Sequence, residues 1–210
     1  MIETLIKVWQ SQYLFSRTIE HLYMFSIALI FSLAIGLLVG IIIYSKPKSA
    51  NPVLNILNAS ETIPTLALLI ILLPLFGIGM APTIVASIIY SILPVARNTY
   101  TGLTGVNKNL IEISNAIGLS EREIMIKVRF PMALPLIAGG VRIAIVFTMA
   151  VVTLGGLIAA GGLGAPLQTG INLYDVNIIL IVGLWIGLLA VILDLGAAII
   201  EKALKARYGR

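Results

Sequence analysis

An uncharged stretch at residues 62–96 constrains the fold of this chain more than any other feature of its sequence. As a single helix it would be about 50 Å long, whereas the hydrocarbon core of a bilayer is about 30 Å thick. A second uncharged stretch, at residues 143–174, is too long for one crossing for the same reason. Each stretch therefore has to turn back, and glycine and proline predict the two turns at residues 77–82 and 161–166.

Composition also indicates a protein embedded in a membrane. The chain is 59% hydrophobic and only 11% charged, with a mean hydropathy of +1.06, which a soluble domain of this length does not reach. The absence of cysteine excludes disulfides and cysteine-based metal sites. The single histidine, His21, is predicted to be an interfacial residue at the start of a span. The net charge of +5 is therefore interpreted first as a consequence of membrane topology, and not as a sign of a nucleic-acid partner.

With about 20 residues for each helical crossing, the sequence predicts an all-α polytopic membrane protein with five transmembrane helices. Five crossings place the two termini on opposite sides of the membrane. Residues 1–21 form an amphipathic lead-in, suited to lying at the membrane surface or to leading simply into the first span, and residues 22–210 form the transmembrane domain. The predicted crossings lie at about residues 24–44, 51–76, 82–101, 131–158 and 176–200.

The distribution of basic residues predicts the orientation of these crossings. Loops at residues 46–48 and 97–129, together with the tail at 201–210, share one side of the membrane and carry eleven of the fourteen basic residues. Cytoplasmic loops of membrane proteins carry an excess of lysine and arginine. The sequence therefore predicts an extracytoplasmic N-terminus and a cytoplasmic C-terminus.

A polar segment at about residues 105–131, between the third and fourth crossings, has the local signals of two short helices. Asn107 can cap a helix that runs through residue 117, and Gly118 suits the left-handed position that ends it. Ser120 and Glu123 form a Ser-x-x-Glu capping box, which starts a second helix that Pro131 is expected to limit. Such a cytoplasmic elbow either docks a partner or packs only on its own spans.

The same segment resembles a known signature. The segment has Glu112, then Gly118 six residues later, and then Val128-x-Phe130-Pro131 after nine more residues. This pattern resembles the E-A-A-x3-G-x9-I-x-L-P signature of binding-protein-dependent ABC importer permeases of the type I fold. The spacing agrees throughout. The departures from the pattern are Ile113 and Ser114 for the two alanines, Val128 for isoleucine and Phe130 for leucine.

Other segments, at residues 61–79, 90–110 and 159–164, are similar to permeases of the osmoprotectant branch. The resemblance implies a bacterial plasma-membrane permease subunit that moves glycine betaine, carnitine or choline by alternating access. A permease for methionine or another amino acid is the alternative within the superfamily. An ion-coupled secondary transporter is the alternative from another class, but internal repeats typical of that class are not visible. A membrane enzyme would need clustered reactive side chains, which the sequence lacks.

The resemblance also implies partners. They are two cytoplasmic ATPase subunits, a second permease subunit that is identical or homologous, and an extracytoplasmic substrate-binding protein or domain, beside membrane lipid and with no nucleic acid. The sequence contains no G-x-x-x-x-G-K-[S/T] loop, so the chain is not expected to be an enzyme or to hold a cofactor. ATP and magnesium are expected on the partner ATPase. Aromatic residues are few and scattered, so the main recognition of a quaternary ammonium is expected in the binding protein.

Two sets of candidate site residues follow. Pro64 interrupts the second crossing and frees backbone carbonyls. This break is predicted to be either part of the translocation path or a simple packing kink. The residues predicted to couple the chain to the ATPase are Glu112, Ala116, Gly118, Ser120 and Pro131. The residues predicted to line the path are Glu61, Thr62, Pro64, Thr65, Arg142 and Thr148.

Three ionisable residues fall within the predicted spans: Glu61, Arg142 and Asp194. Charged residues in spans are rare and usually functional. Glu61 and Arg142 have similar predicted depths of about 15 Å, so they are expected to pair with each other. Direct contact of Glu61 with a cationic substrate is the alternative. Asp194 is expected to pair with a basic residue of the C-terminal tail.

Overall fold

The computed structural model describes residues 2–208, and this part of the chain forms helices and no strand. A π-helical turn at Met125–Arg129 joins two of the helices, and a 3-10 turn at Gly155–Ile158 follows another. The α-helices are α1 (Ile2–Ser11), α2 (Leu14–Ser45), α3 (Pro47–Thr62), α4 (Thr65–Phe76), α5 (Met80–Thr104), α6 (Lys108–Ala116), α7 (Glu121–Ile124), α8 (Phe130–Leu154), α9 (Gly164–Leu173) and α10 (Val176–Tyr208).

Four segments are each long and apolar enough to cross a membrane: α2, α5, the continuous helix Glu121–Ile158 and α10. The fifth crossing is broken, because α3 and α4 pass the same test only together and are bent by 96°. The prediction of an all-α fold with five crossings is therefore confirmed, with one crossing divided into two half-helices of about 24 and 18 Å.

The directions of the long helices show why the broken segment has to cross. A Cβ atom on Gly36 would lie 2.6 Å from Val95 Cβ, and one on Gly40 would lie 2.5 Å from Thr99 Cβ. Residue numbers on α2 and α5 thus increase together, so these neighbours are parallel. The chain leaves α2 at one end of the bundle and enters α5 at the other, and α3 with α4 makes the connection.

The remaining long helices alternate in direction. On α8, Thr148 shares a hydrogen bond of 2.8 Å with Ser91 of α5, and Ala133 lies against Gly102, so these two helices are antiparallel. Asp194 of α10 bonds to Arg142 of α8 and Glu201 lies beside Gly139, so α10 is antiparallel to α8 and therefore parallel to α2, where Trp185 donates to Thr18. One end of the bundle, which we call the basic end, therefore holds residues 46–48, 105–129 and the end of α10. The opposite end holds residues 77–79 and 155–175.

The N-terminal helix and the first crossing differ from the predicted boundaries. Helix α1 ends at Ser11, and Tyr13 in a left-handed conformation turns the chain into α2, which begins about ten residues earlier than predicted. Trp9 packs edge-on against Trp185 at 5.0 Å between ring centroids. His21 is consequently two turns inside α2 and fully buried beside Gly162, in the loop at one end of the bundle, and its predicted interfacial depth stays a prediction.

At the opposite end, the break predicted at residues 161–166 contains a helix that the sequence analysis missed. Ala159, Gly161 and Gly162 have positive φ angles, and they lead into α9. The Glu20 carboxylate accepts from the Gly162 amide at 2.9 Å and from the Arg17 guanidinium at 2.8 Å, which ties this loop to α2. The polar contacts of the loop are therefore made by residues about 140 positions away in the chain.

Candidate functional site

The first helix of the elbow has the caps that its sequence predicts. The Asn107 side chain accepts from the Asn109 amide at 2.9 Å at the start of α6. At its end Gly118 has a φ of 83°. The Gly118 amide donates to Asn115 O at 2.9 Å, and the Leu119 amide donates to Ser114 O at 3.1 Å. These two bonds form a Schellman motif, which stops the helix and turns the chain.

The second helix begins with the predicted capping box. The Ser120 hydroxyl accepts from the Glu123 amide at 3.4 Å, and the Glu123 carboxylate accepts from the Ser120 amide at 3.1 Å. The Glu123 carboxyl group is exposed and lies before the apolar part of the helix. A hydrogen bond from Lys127 and those from Ser120 lower its pKa to about 2. The carboxylate is ionised above that pH, so the cap is retained at neutral pH and is lost only in strong acid.

The prediction that Pro131 limits the second helix is wrong. After α7 the chain continues through the π-helical turn Met125–Arg129 directly into α8, and Pro131 lies in the first turn of α8. In a π-turn each amide bonds five residues back, as the Phe130 amide does to Met125 O. The wider turn accommodates a proline without an amide, so the elbow is rigidly continuous with the fourth crossing.

An apolar stripe on α6, formed by Leu110, Ile113 and Ile117, is the most unusual surface of the elbow. Their exposed fractions are 37%, 59% and 70%. The spacing i, i+3, i+7 places them on one face of the helix. Ser114, one turn after Leu110 at the edge of this face, is buried. The sequence analysis missed this stripe, although its helical periodicity was available to find it.

The predicted coupling residues belong to the elbow or to the helix that follows it. Glu112, Ala116, Gly118 and Ser120 are exposed, whereas Pro131 is half-buried. The charged residues of α6, Lys108 and Glu112, are exposed on the face opposite the stripe. An exposed apolar stripe on a polar helix, outside the apolar spans, is typical of a surface that another protein covers.

The second candidate site is the break between α3 and α4. Ile63 and Pro64 lie outside both helices. The Tyr90 hydroxyl donates to the carbonyl of Ile63, one of those released by the break. Tyr90 lies near the middle of α5, so the break is at mid-depth in the bundle. Such a backbone break is tolerated at this depth where protein or water covers it.

The polar residues of α3 lie beside this break. Asn55 and Thr62 are exposed, Arg97 of α5 donates to the side chain of Asn58, and Glu61 is half-buried in the last turn. Oε1 of Glu61 is buried and has no hydrogen-bond partner within residues 2–208. The structure therefore brings Glu61, Thr62, Pro64 and Thr65 together at one place.

The predicted ion pair between Glu61 and Arg142 is wrong. Arg142 Nε and Nη2 donate to the two carboxylate oxygens of Asp194 at 2.8 and 2.7 Å, and Nη1 donates to Glu201 at 2.9 Å. The expected pairing of Asp194 with the tail is also wrong, because Glu201 is the residue that pairs with Lys205. The physical reason is that α8 and α10 pack together, and positions 194 and 201 share a face of α10.

This ion network lines an open cavity of about 400 Å³ between α8 and α10, with Gly139, Ile143 and Val146 on its wall. Charged side chains within spans face a bundle interior or water far more often than lipid. Thr148, the last of the predicted path residues, is fully buried and bonds to Ser91 and to Ala144 O. Its place in a path stays a prediction.

Comparisons with known proteins agree with this architecture. Residues 15–206 match the family described as binding-protein-dependent transport system inner membrane component. The chain is 38% identical to the glycine betaine/carnitine/choline transport system permease protein OpuCB of Bacillus subtilis, over 89% of this chain and 86% of that protein. It is 37% identical to the choline transport system permease protein OpuBB of the same organism, over 90% and 87% of the two chains.

A solved structure shares the fold. One chain of the MetNI methionine ABC transporter, in an inward-facing conformation, superposes with a TM-score of 0.81 at 27% sequence identity. The superposition covers 91% of this chain and 96% of that chain.

Proposed function

Because the chain belongs to the family of binding-protein-dependent transport system inner membrane components, and within it to the osmoprotectant permeases, we propose that it carries a quaternary-ammonium solute. The solute is of the glycine betaine, carnitine or choline type. The chain supplies one wall of the path, and alternating access exposes that path first to one side of the membrane and then to the other.

The observation that best supports an ATP-driven mechanism is the elbow. Its first helix, α6, carries an exposed apolar stripe, and its second helix, α7, is continuous with α8 through the π-turn. A force that reaches α7 is therefore transmitted to a transmembrane helix without a flexible linker. Two cytoplasmic ATPase subunits, which bind ATP and magnesium, supply this force in the proposed complex. A second permease subunit and an extracytoplasmic binding protein complete it.

Uptake tests the proposed solute class directly. The chain is reconstituted in vesicles with its partner ATPase and binding protein, and radiolabelled choline, glycine betaine, carnitine and methionine are compared. We expect ATP-dependent uptake of at least one quaternary ammonium. Methionine is the second candidate because of the shared fold. Uptake of methionine alone would contradict the proposal.

Ile117→Asp is expected to weaken binding of the ATPase by tenfold or more while the chain still inserts and folds. Ile117 is 70% exposed, so the change removes no core packing. It places a charge in the middle of the apolar stripe, where apolar contact with a partner would have to exclude water. Co-purification of the ATPase with the permease, and uptake in vesicles, measure the effect.

Asn115→Asp is the matched control for this variant. It adds the same charge to the same helix, but Asn115 is exposed on the face opposite the stripe. The control is expected to retain the ATPase. Wild-type binding by Ile117→Asp would remove the stripe from the mechanism.

We also propose that the basic end of the bundle faces the cytoplasm, in keeping with the excess of basic residues there. The chain contains no cysteine, so single cysteines can be introduced without background. In intact cells, an impermeant maleimide is expected to label Ile78→Cys and Leu173→Cys at the opposite end. Lys48→Cys and Glu121→Cys are expected to react only after the membrane is permeabilised. Labelling of Glu121→Cys in intact cells would reverse the orientation.

A further inference from the structure

The Glu61 carboxylate serves neither the elbow nor the ion network of α8 and α10. Its Oε1 atom is buried, and within residues 2–208 it has no hydrogen-bond partner. Buried polar atoms in proteins nearly always have a partner, so an orphaned one calls for an explanation. An ionisable residue inside a transmembrane bundle commonly marks a pathway for a solute or an ion.

The two arginines that could neutralise Glu61 donate to other groups. Arg97, on the neighbouring helix α5, donates to the side chain of Asn58, one turn before Glu61 on α3. Arg142, the partner expected from depth alone, donates to Asp194 and Glu201. Arg97 keeps its positive charge near Glu61, but neither arginine donates to the carboxylate, so Oε1 is left without a hydrogen-bond partner within residues 2–208.

The position of Glu61 at the end of a half-helix strengthens the attraction for a cation. Glu61 lies in the last turn of α3, where the unpaired carbonyls of the helix carry a partial negative charge of about half an electron. A carboxylate normally avoids this end of a helix, because the two negative charges repel. In transporters, the carboxyl ends of broken helices and unwound carbonyls hold positively charged ions near the membrane midplane.

The surroundings of Glu61 include exposed polar side chains at the depth of the break between α3 and α4. The bond from Tyr90 to Ile63 holds the break near the middle of α5. Beside Glu61, the face of α3 formed by Asn55, Ala59 and Thr62 is exposed. Exposed amide and hydroxyl groups at this depth suit water or another protein subunit better than lipid.

We propose that Glu61 is a specificity-determining residue that receives the positively charged headgroup of the transported solute at the break between α3 and α4. The inference rests on the proposed function. A quaternary ammonium has no N–H group, so it is held by charge and by contact of its methyl groups with apolar surfaces. The exposed Leu66 and the chain at Pro64 supply apolar surface directly after the carboxylate.

Competition between choline and its uncharged isostere, in which carbon replaces the quaternary nitrogen, tests the role of this charge. Vesicles contain the complete complex and take up radiolabelled choline. Two concentrations are measured: that of the isostere and that of unlabelled choline which each halve this uptake. The readout is the ratio of the first concentration to the second. Glu61→Gln is expected to lower this ratio about tenfold, because the carboxylate attracts only the charged solute. The binding protein is the same in every sample, so a change in the ratio comes from the permease.

Ser60→Ala is the matched control, since it changes the preceding residue, whose hydroxyl donates to Ile56 O within α3, without removing a charge, and it is expected to keep the wild-type ratio. A Glu61→Gln complex that assembles, melts like the wild type and keeps the ratio would overturn the inference. If the Glu61→Gln complex does not assemble, Glu61→Asp tests the inference instead. This change withdraws the carboxylate by one methylene and is expected to lower the ratio about threefold. An unchanged ratio overturns the inference. Wild-type vesicles that take up no quaternary ammonium would instead refute the proposed function.

Discussion

Gly40→Leu is expected to separate α2 from α5 and to lower the free energy of unfolding by roughly 3 kcal/mol or more. Gly36 and Gly40, four residues apart, form a small-residue face on α2 that lets two parallel helices approach closely. A Cβ atom on Gly40 would lie 2.5 Å from Thr99 Cβ and 2.9 Å from the backbone oxygen of Ala96. Neither atom can move alone, because the backbone fixes the Cβ of Thr99 and the Ala96 carbonyl belongs to a helix.

Thermal unfolding of the purified chain in detergent measures this effect. The control is Gly183→Leu on α10, where no atom of residues 2–208 lies within 4 Å of the added Cβ. That change is expected to leave the melting temperature unchanged or slightly raised, because leucine favours a helix more than glycine does. Equal melting of the two variants would show that the approach of α2 to α5 does not limit stability.

Arg142→Gln is expected to lower the melting temperature by about 3 °C, because it leaves the carboxylates of Asp194 and Glu201 without their guanidinium partner. The network joins α8 to α10 beside an open cavity, where the Arg142 and Asp194 side chains are 34% and 29% exposed, so water replaces part of the lost interaction. A second change, Asp194→Asn, removes the carboxylate that depends most on Arg142. The double variant is therefore expected to melt above the value obtained by adding the two single losses.

A double-mutant cycle of these two changes separates the interaction energy of the network from a general loss of stability. Lys127→Gln serves as the control, because it breaks an exposed pair with Glu123 in the elbow, and such pairs contribute little to stability. Strictly additive losses from Arg142→Gln and Asp194→Asn would contradict the network. Rescue of Arg142→Gln by Glu61→Gln would contradict the geometry described here, since these two residues have separate surroundings.

The caps of the elbow could be predicted because they depend on residues close together in sequence. The Schellman motif at Gly118 and the capping box at Ser120 are made of hydrogen bonds that span at most five residues. The break at Pro64 is equally local, because proline has no amide to donate. The number of crossings follows from hydrophobic length, which is also a property of the linear chain.

The continuity of α7 with α8 and the partner of Arg142 could not be predicted in this way. Proline disfavours a regular α-helix, but whether a π-turn accommodates Pro131 depends on how the elbow packs against the bundle. Equal depth made Glu61 and Arg142 look like partners, yet depth is only one of three coordinates. The rotation of each helix about its axis, which decides whether two side chains face each other, is not encoded within a few residues.

The sequence by itself therefore determined the all-α membrane fold, the turning points of its long apolar stretches and the capped elbow, because bilayer thickness and short-range hydrogen bonds act on the chain segment by segment. Only the tertiary structure decided that Arg142 joins Asp194 and Glu201, that His21 is buried beside Gly162, and that Oε1 of Glu61 has no hydrogen-bond partner within residues 2–208. Each of these outcomes depends on which faces of distant helices meet. Close backbone approach at glycines such as Gly40 sets those faces, and it requires the whole bundle to be packed.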